Sequence, residues 1–186
     1  MGKNFNTVPE VNCWRNFTLD GNIFDLSHLN SHSVTYLDVD KQKEYTFLIT
    51  YSSHCFTSKI PDVISNQELQ SIYKTPTESR LFSIERYHLS KHLPNIIKTL
   101  GEKTTLTFHA GYKNYATFKV LDSNGYEVNY FIPFSAFREK KKLRLHITSA
   151  YPKLDLGKTQ KVNFFAIANN LLTGKKLPQP HITKTP

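Results

Sequence analysis

Apolar and polar positions alternate over most of the chain, and that period predicts strands. Ser33 to Asp40 and Glu44 to Tyr51 are rich in β-branched and aromatic residues, and the polar Asp40 to Lys43 lies between them. Tyr45, Phe47, Ile49 and Tyr51 share one face of the second stretch, so the pair predicts a β-hairpin. Residues 57 to 77 read as a loop with a helical turn around Asn66 to Tyr73. The period then becomes helical. Ser90 can cap a helix, Pro94 sits in its tolerated first turn, and Leu93, Ile96, Ile97 and Leu100 form an i, i+3, i+4, i+7 stripe that Gly101 ends. A shorter helix over about 78 to 88 is expected before it.

Beyond Gly101 the alternation returns, predicting strands over 104–109, 115–121, 126–134, 143–149 and 161–168. Asp122-Ser-Asn-Gly125 is a hairpin turn, because Asn-Gly readily supplies two positive φ angles. Strands joined by links this short form an antiparallel meander. The expected fold is α+β: an antiparallel sheet with one or two helices packed on one face, preceded by an N-terminal β-hairpin. One domain is expected, with an irregular arm anchored by Trp14 and Phe17, then the hairpin and loop to residue 77, a helix-plus-sheet core over 78–172, and a flexible Pro- and Lys-rich tail over 173–186.

The pleat sorts chemistry by face. Val128, Tyr130, Ile132 and Phe134 share one face of their strand, as do Leu143, Leu145 and Ile147 of the next. The polar set left over contains Lys119, Glu127, Asn129, Arg144, His146 and Thr148, with Lys140, Lys141 and Lys142 at the adjoining turn. A solvated sheet face explains such a set equally well. Charge changes the picture: residues 1–100 carry 10 Lys and Arg against 10 Asp and Glu, whereas 101–186 carry 14 against 5, so the whole formal charge of +9 arises in the second half. A one-sided field of this kind suits an anionic partner.

No run approaches the roughly 18 apolar residues of a membrane helix, no apolar leader is visible, and two cysteines are too few for a disulfide framework. A cytoplasmic protein that does not engage a membrane is expected. Cys13, His28, His54 and Cys55 match no zinc spacing, and Cys55 with its neighbour His54 would point to opposite faces of a strand, which argues against a cysteine nucleophile. With no phosphate loop, dinucleotide fingerprint or serine elbow, neither a metal nor a cofactor is expected.

The polar face has the groups needed to hold and cut a phosphodiester. Arg144, Lys119, Arg86 and Lys142 supply charge, and Glu127 with His146, or else His109 or His88, could move protons. His109 precedes Ala110-Gly111, where Tyr112 could stack on a base. A helix leading into an antiparallel meander, with one strand running into Thr148-Ser-Ala-Tyr-Pro152, resembles the metal-independent RNase superfamily of barnase, EndoU, colicin and RelE-like toxins. The resemblance covers about residues 78–172. It implies RNA on the open sheet face, helix candidates His88, His92, Arg86 and Arg80, strand candidates Arg144, His146, Ser149 and Tyr151, and an inhibitor protein as second partner.

The string Phe24-Asp-Leu-Ser-His28, Ser53-His-Cys-Phe-Thr57 and Glu85-Arg-Tyr-His-Leu-Ser-Lys91 also resembles a family of small bacterial and prophage proteins, which implies a mobile-element setting. The expectation is therefore a toxin-type endoribonuclease. The alternative is a non-catalytic binder of nucleic acid or of an acidic protein. The oligomeric state stays open.

Overall fold

The structure is a computed structural model that describes residues 13–111, 114–123, 126–154 and 159–179. The expected arm before Cys13, the stacking Tyr112, the Asn124-Gly125 turn and the end of the tail lie outside the described residues.

Trp14 anchors the start of the chain as expected: its ring meets Phe56 edge-on at 5.1 Å, and its backbone N–H donates to Asn30 Oδ1. Residues read as an arm then form a small hairpin, β1 (Phe17–Leu19) and β2 (Asn22–Phe24), turned at Asp20-Gly21, both with positive φ. The alternation signal holds next, giving β3 (His32–Asp38) and β4 (Lys43–Tyr51) as an antiparallel pair. Short strands β5 (Thr57–Ser58), β6 (Ile72–Lys74) and β7 (Ser79–Phe82) make a separate three-stranded sheet. Helix α1 (Asn66–Gln70) lies between β5 and β6, started by a reciprocal Ser65–Glu68 capping box.

The helix expected over 78–88 is corrected. Its first half is strand β7, and α2 (Ile84–Ser90) begins only after Ser83, whose hydroxyl caps Arg86 N–H. Ser90 is correspondingly the last residue of α2 and does not cap α3 (Leu93–Lys98), which starts at His92 with Pro94 in its first turn. The alternating half contributes β8 (Thr107–His109), β9 (Asn114–Ser123), β10 (Tyr126–Glu139), β11 (Lys142–Ile147), β12 (Tyr151–Pro152) and β13 (Gln160–Val162).

The main sheet runs β13-β8-β9-β10-β11-β4-β3, with β12 added to β10. It is antiparallel except at one junction: β11 pairs β4 in parallel, Leu145 opposite Ile49. The N-terminal hairpin is thus part of the main sheet, and the meander is mixed. Its inner face carries Tyr36, Phe47, Ile49, Tyr130, Phe134, Leu145 and Ile147, all buried. The helices cover that face: Tyr36 Oη donates to the Ile97 carbonyl, and the Phe164 ring lies 4.7 Å from Tyr36 and 5.7 Å from Phe47.

A second correction concerns 161–168, read as a strand. After β13 the chain forms α4 (Phe164–Thr173), because Asn163 Oδ1 accepts the N–H groups of Phe165 and Ala166, and Phe164, Ile167, Ala168 and Leu171 repeat at helical spacing. Gly174, at φ +70°, ends it. Replacing Asn163 with alanine removes the cap and is expected to lower stability by about 1 kcal/mol, read by urea denaturation. The start of the tail is held down, since Tyr115 Oη donates to the Pro178 carbonyl and Asn170 Nδ2 to that of Lys176.

Candidate functional site

The outer face of the sheet carries a polar row that crosses four strands in register. Asn114, Ser135, His146 and Thr50 stand opposite one another on β9, β10, β11 and β4. Ser135 Oγ donates to Asn114 Oδ1 at 2.6 Å, and Thr50 Oγ1 shares a hydrogen bond with His146 Nδ1 at 2.9 Å. Apolar neighbours flank the row, with Pro133 on one side and Phe137 and Leu48 on the other. In that setting burial, and then the nearby charge of His54, pushes the His146 imidazole down to about 4. It is neutral at physiological pH, and among the described residues nothing hydrogen-bonds its Nε2.

His54 comes from the 3-10 turn Ser53–Cys55 that ends β4, started by Ser52 Oγ accepting the His54 N–H. Its Nε2 donates to both oxygens of Glu78, at 3.0 and 3.2 Å. Ser53 Oγ also donates to Glu78, and Arg80 Nη1 lies 3.5 Å from the second oxygen. Partial burial opposes ionisation of Glu78, but the hydrogen bonds from Ser53 and His54 and the charges of His54 and Arg80 outweigh it and hold the carboxyl below its usual range.

Arg86 of α2 completes the cluster. Its Nη1 donates to the His54 and Thr57 carbonyls, and its guanidinium lies 5.5 Å from the centre of the Tyr151 ring. Ser149 Oγ donates to the same His54 carbonyl at 3.5 Å. Of the sequence candidates, His146, Ser149, Tyr151, Arg86 and Arg80 therefore gather at one end of the sheet, with Thr148 bonded to the Pro133 carbonyl beside them. Arg80 does so from strand β7, not from a helix.

The others are placed elsewhere. Glu127 precedes Ser135, the register partner of His146, by eight residues along β10. At about 3.3 Å per residue they are roughly 26 Å apart, too far to act as one acid–base pair. Lys119 stands opposite Tyr130 on the inner side of the sheet, not with Arg144 on the outer one. His109 is likewise on the inner side, three strands from β11, with its ring against Tyr115. His88 is exposed on α2 and follows Arg86 by two residues, which turns it about 200° away around the helix. His92 is exposed at the start of α3.

Arg144 is one pleat from His146, but its guanidinium is held by Glu139 at 2.7 Å. Lys142 is exposed at the far end of β11.

His54 and Glu78 were missed as a pair. Their signal is absent from local sequence, because they are 24 positions apart, with β5, α1 and β6 between them. Cys55 is fully buried and its thiol is pushed up to about 12 by desolvation, so it is no nucleophile. Among the described residues no group of three or more His, Cys, Asp and Glu gathers as metal ligands do. Among the described residues no helix is long and apolar enough to cross a membrane.

A family model described as the YjaZ family matches residues 16–172. A curated relative, "Protein YjaZ" of Escherichia coli strain K12, is 48% identical over 177 residues, which cover 92% of this chain and 97% of the relative. No solved structure matches. Neither match involves the metal-independent ribonucleases, whereas both agree with the resemblance to a family of small bacterial proteins: the chain belongs to the YjaZ family.

Proposed function

We propose that the protein is a metal-independent endoribonuclease of toxin type, cutting RNA at the sheet end where β4, β11, β12 and α2 meet. One observation carries the reading: two imidazoles, one neutral and one backed by a carboxylate, lie near enough for the charge of His54 to push the His146 imidazole down, and Arg86, which donates to the His54 carbonyl, lies over the half-buried Tyr151 ring. Cleavage by the ribose 2′-hydroxyl needs a base, an acid and a group to stabilise charge on the phosphate. His146 accepts the 2′-hydroxyl proton on Nε2, the 2′ oxygen attacks phosphorus, and the bond to the 5′ oxygen breaks. His54 delivers a proton to that leaving oxygen, and Glu78 balances the imidazolium charge. Arg86 faces the phosphate, and Tyr151 offers a ring to a base. Such an enzyme acts in the cytoplasm and needs an inhibitor protein in its own cell.

Labelled RNA incubated with the protein and EDTA is expected to be cut to a 2′,3′-cyclic phosphate end. His54→Ala and His146→Ala should each slow cleavage by about 10²- to 10⁴-fold with the fold intact by circular dichroism. Uncut RNA with the unsubstituted protein overturns the reading. One observation favours the non-catalytic alternative, in which this surface holds RNA or an acidic protein: Arg86 gives Nη1 to two backbone carbonyls, as a structural arginine does. RNA retained and uncut is its signature.

A further inference from the structure

The other end of β11 carries a second feature. Strands β10 and β11 are joined at Lys140-Lys141, and both lysines have left-handed φ angles, +46° and +67°. Among the described residues no other two consecutive non-glycine residues do so. A side chain with a Cβ is disfavoured there, and two-residue hairpins are normally turned by Asn-Gly. The sequence contains that favoured pair at Asn124-Gly125. At 140–141 it keeps two lysines in a conformation that disfavours them, so turn geometry does not account for them. Strained residues of this kind point to a role for the side chain.

The surroundings say what role. Lys140, Lys141, Lys142 and Arg138 are exposed around the turn. Arg138 shares its face of β10 with Phe134 and Ala136 and its Nη1 donates to the Leu172 carbonyl at the end of α4, so Arg138, Lys175 and Lys176 line a groove on the helix-covered side of the sheet, next to the turn but not on the outer face. The negative end of the α4 dipole accounts for Lys175 and Lys176, but not for the hairpin lysines. None of the six cations forms an ion pair among the described residues, and the nearest acid in sequence, Glu139, is held by Arg144. Unpaired like charges repel, and an anionic polymer relieves that repulsion.

On the outer face Lys142 follows the hairpin, and the next outward cation, Arg144, one pleat or about 6.6 Å further on, is already paired with Glu139, so the free charge at this end of β11 is the lysine run itself. We propose that the Lys140-Lys141 hairpin is a phosphate-binding anchor for single-stranded RNA, holding the backbone of the strand whose scissile bond lies at His146. The proposal rests on the reading that the ligand of this face is RNA.

The test replaces the turn by the favoured pair, Lys140→Asn with Lys141→Gly. Relief of strain is expected to raise the melting temperature by a few degrees. Loss of two phosphate contacts should weaken binding of a 2′-O-methyl RNA, which cannot be cut, by about tenfold and reduce the slope of log affinity against log salt by about 1.4. A higher melting temperature with unchanged affinity and slope overturns the anchor, as does weakened binding of polyglutamate with RNA binding intact. If the unsubstituted protein binds no RNA, the reading of the face itself fails. If it binds and cuts RNA while the double variant matches its affinity and slope, only the anchor fails. Should the glycine variant misfold, Lys140→Gln with Lys141→Gln gives the same affinity comparison.

Discussion

Phe47→Ala is expected to cost about 3–5 kcal/mol, lowering the melting temperature by roughly 10 °C in a domain of this size. Phe47 has no exposed surface, and its ring meets Tyr36 of β3 at 5.9 Å and Phe164 of α4 at 5.7 Å. It also stands opposite Leu143 of β11 at the one parallel junction of the main sheet. Truncation there leaves a cavity bordered by the hairpin, the meander and the last helix at once. Neighbouring Thr46 points to the outer face and is exposed, so Thr46→Ala should change stability by no more than about 0.5 kcal/mol. A loss under about 1.5 kcal/mol for Phe47→Ala, measured by urea denaturation, would mean that the hairpin packs as a separate layer rather than in the continuous core.

Acid should destabilise the fold well before its carboxylates titrate. The His146 imidazole is held near 4 in the folded protein, against an ordinary 6.5, by burial and then by His54. Between those values the unfolded chain binds a proton that the folded chain does not, so stability is full above about pH 6.5 and is lost progressively as pH falls towards 4. The shift corresponds to about 3 kcal/mol. His28 adds to the loss with the same sign, since burial lowers it too. Glu78 acts in a lower window, because its carboxyl is held below its usual range. Denaturation curves from pH 7 to pH 4 should show the loss, and His146→Gln should remove about 3 kcal/mol of it. An unchanged pH slope in that variant would place the titration elsewhere.

Periodicity made much of the fold legible. Residues 33–51, 115–121, 126–134 and 143–147 alternate, each alternating position has one face to bury, and their strands start close to the expected bounds, but β10 continues past the expected end at 134 to Glu139, where pairing with β11 extends it through a charged stretch. The failures share a cause. Residues 161–168 contain both an apolar run and a helical stripe, and only the Asn163 cap and the packing of Phe164 on Tyr36 and Phe47 select the helix. Residues 79–82 read as helix by propensity, yet they pair between β5 and β6, where Phe82 meets Phe17 at 4.7 Å. Tertiary burial overrides a weak local preference in both places.

The candidate site divides in the same way. The outward direction of His146 and Arg144 follows from the pleat alone, and so does the basic character of the second half. What no local pattern contains is the partner of each group. Whether Arg144 is free or bound to Glu139, whether His146 is neutral or charged, and whether His54 meets Glu78 depend on contacts across 5 to 92 residues of sequence. The parallel junction of β11 with β4 is the physical reason. It carries Thr50 and the His54 turn to the side of His146, and so it converts a basic sheet face, evident in the sequence, into a site with two histidines, which the sequence does not reveal.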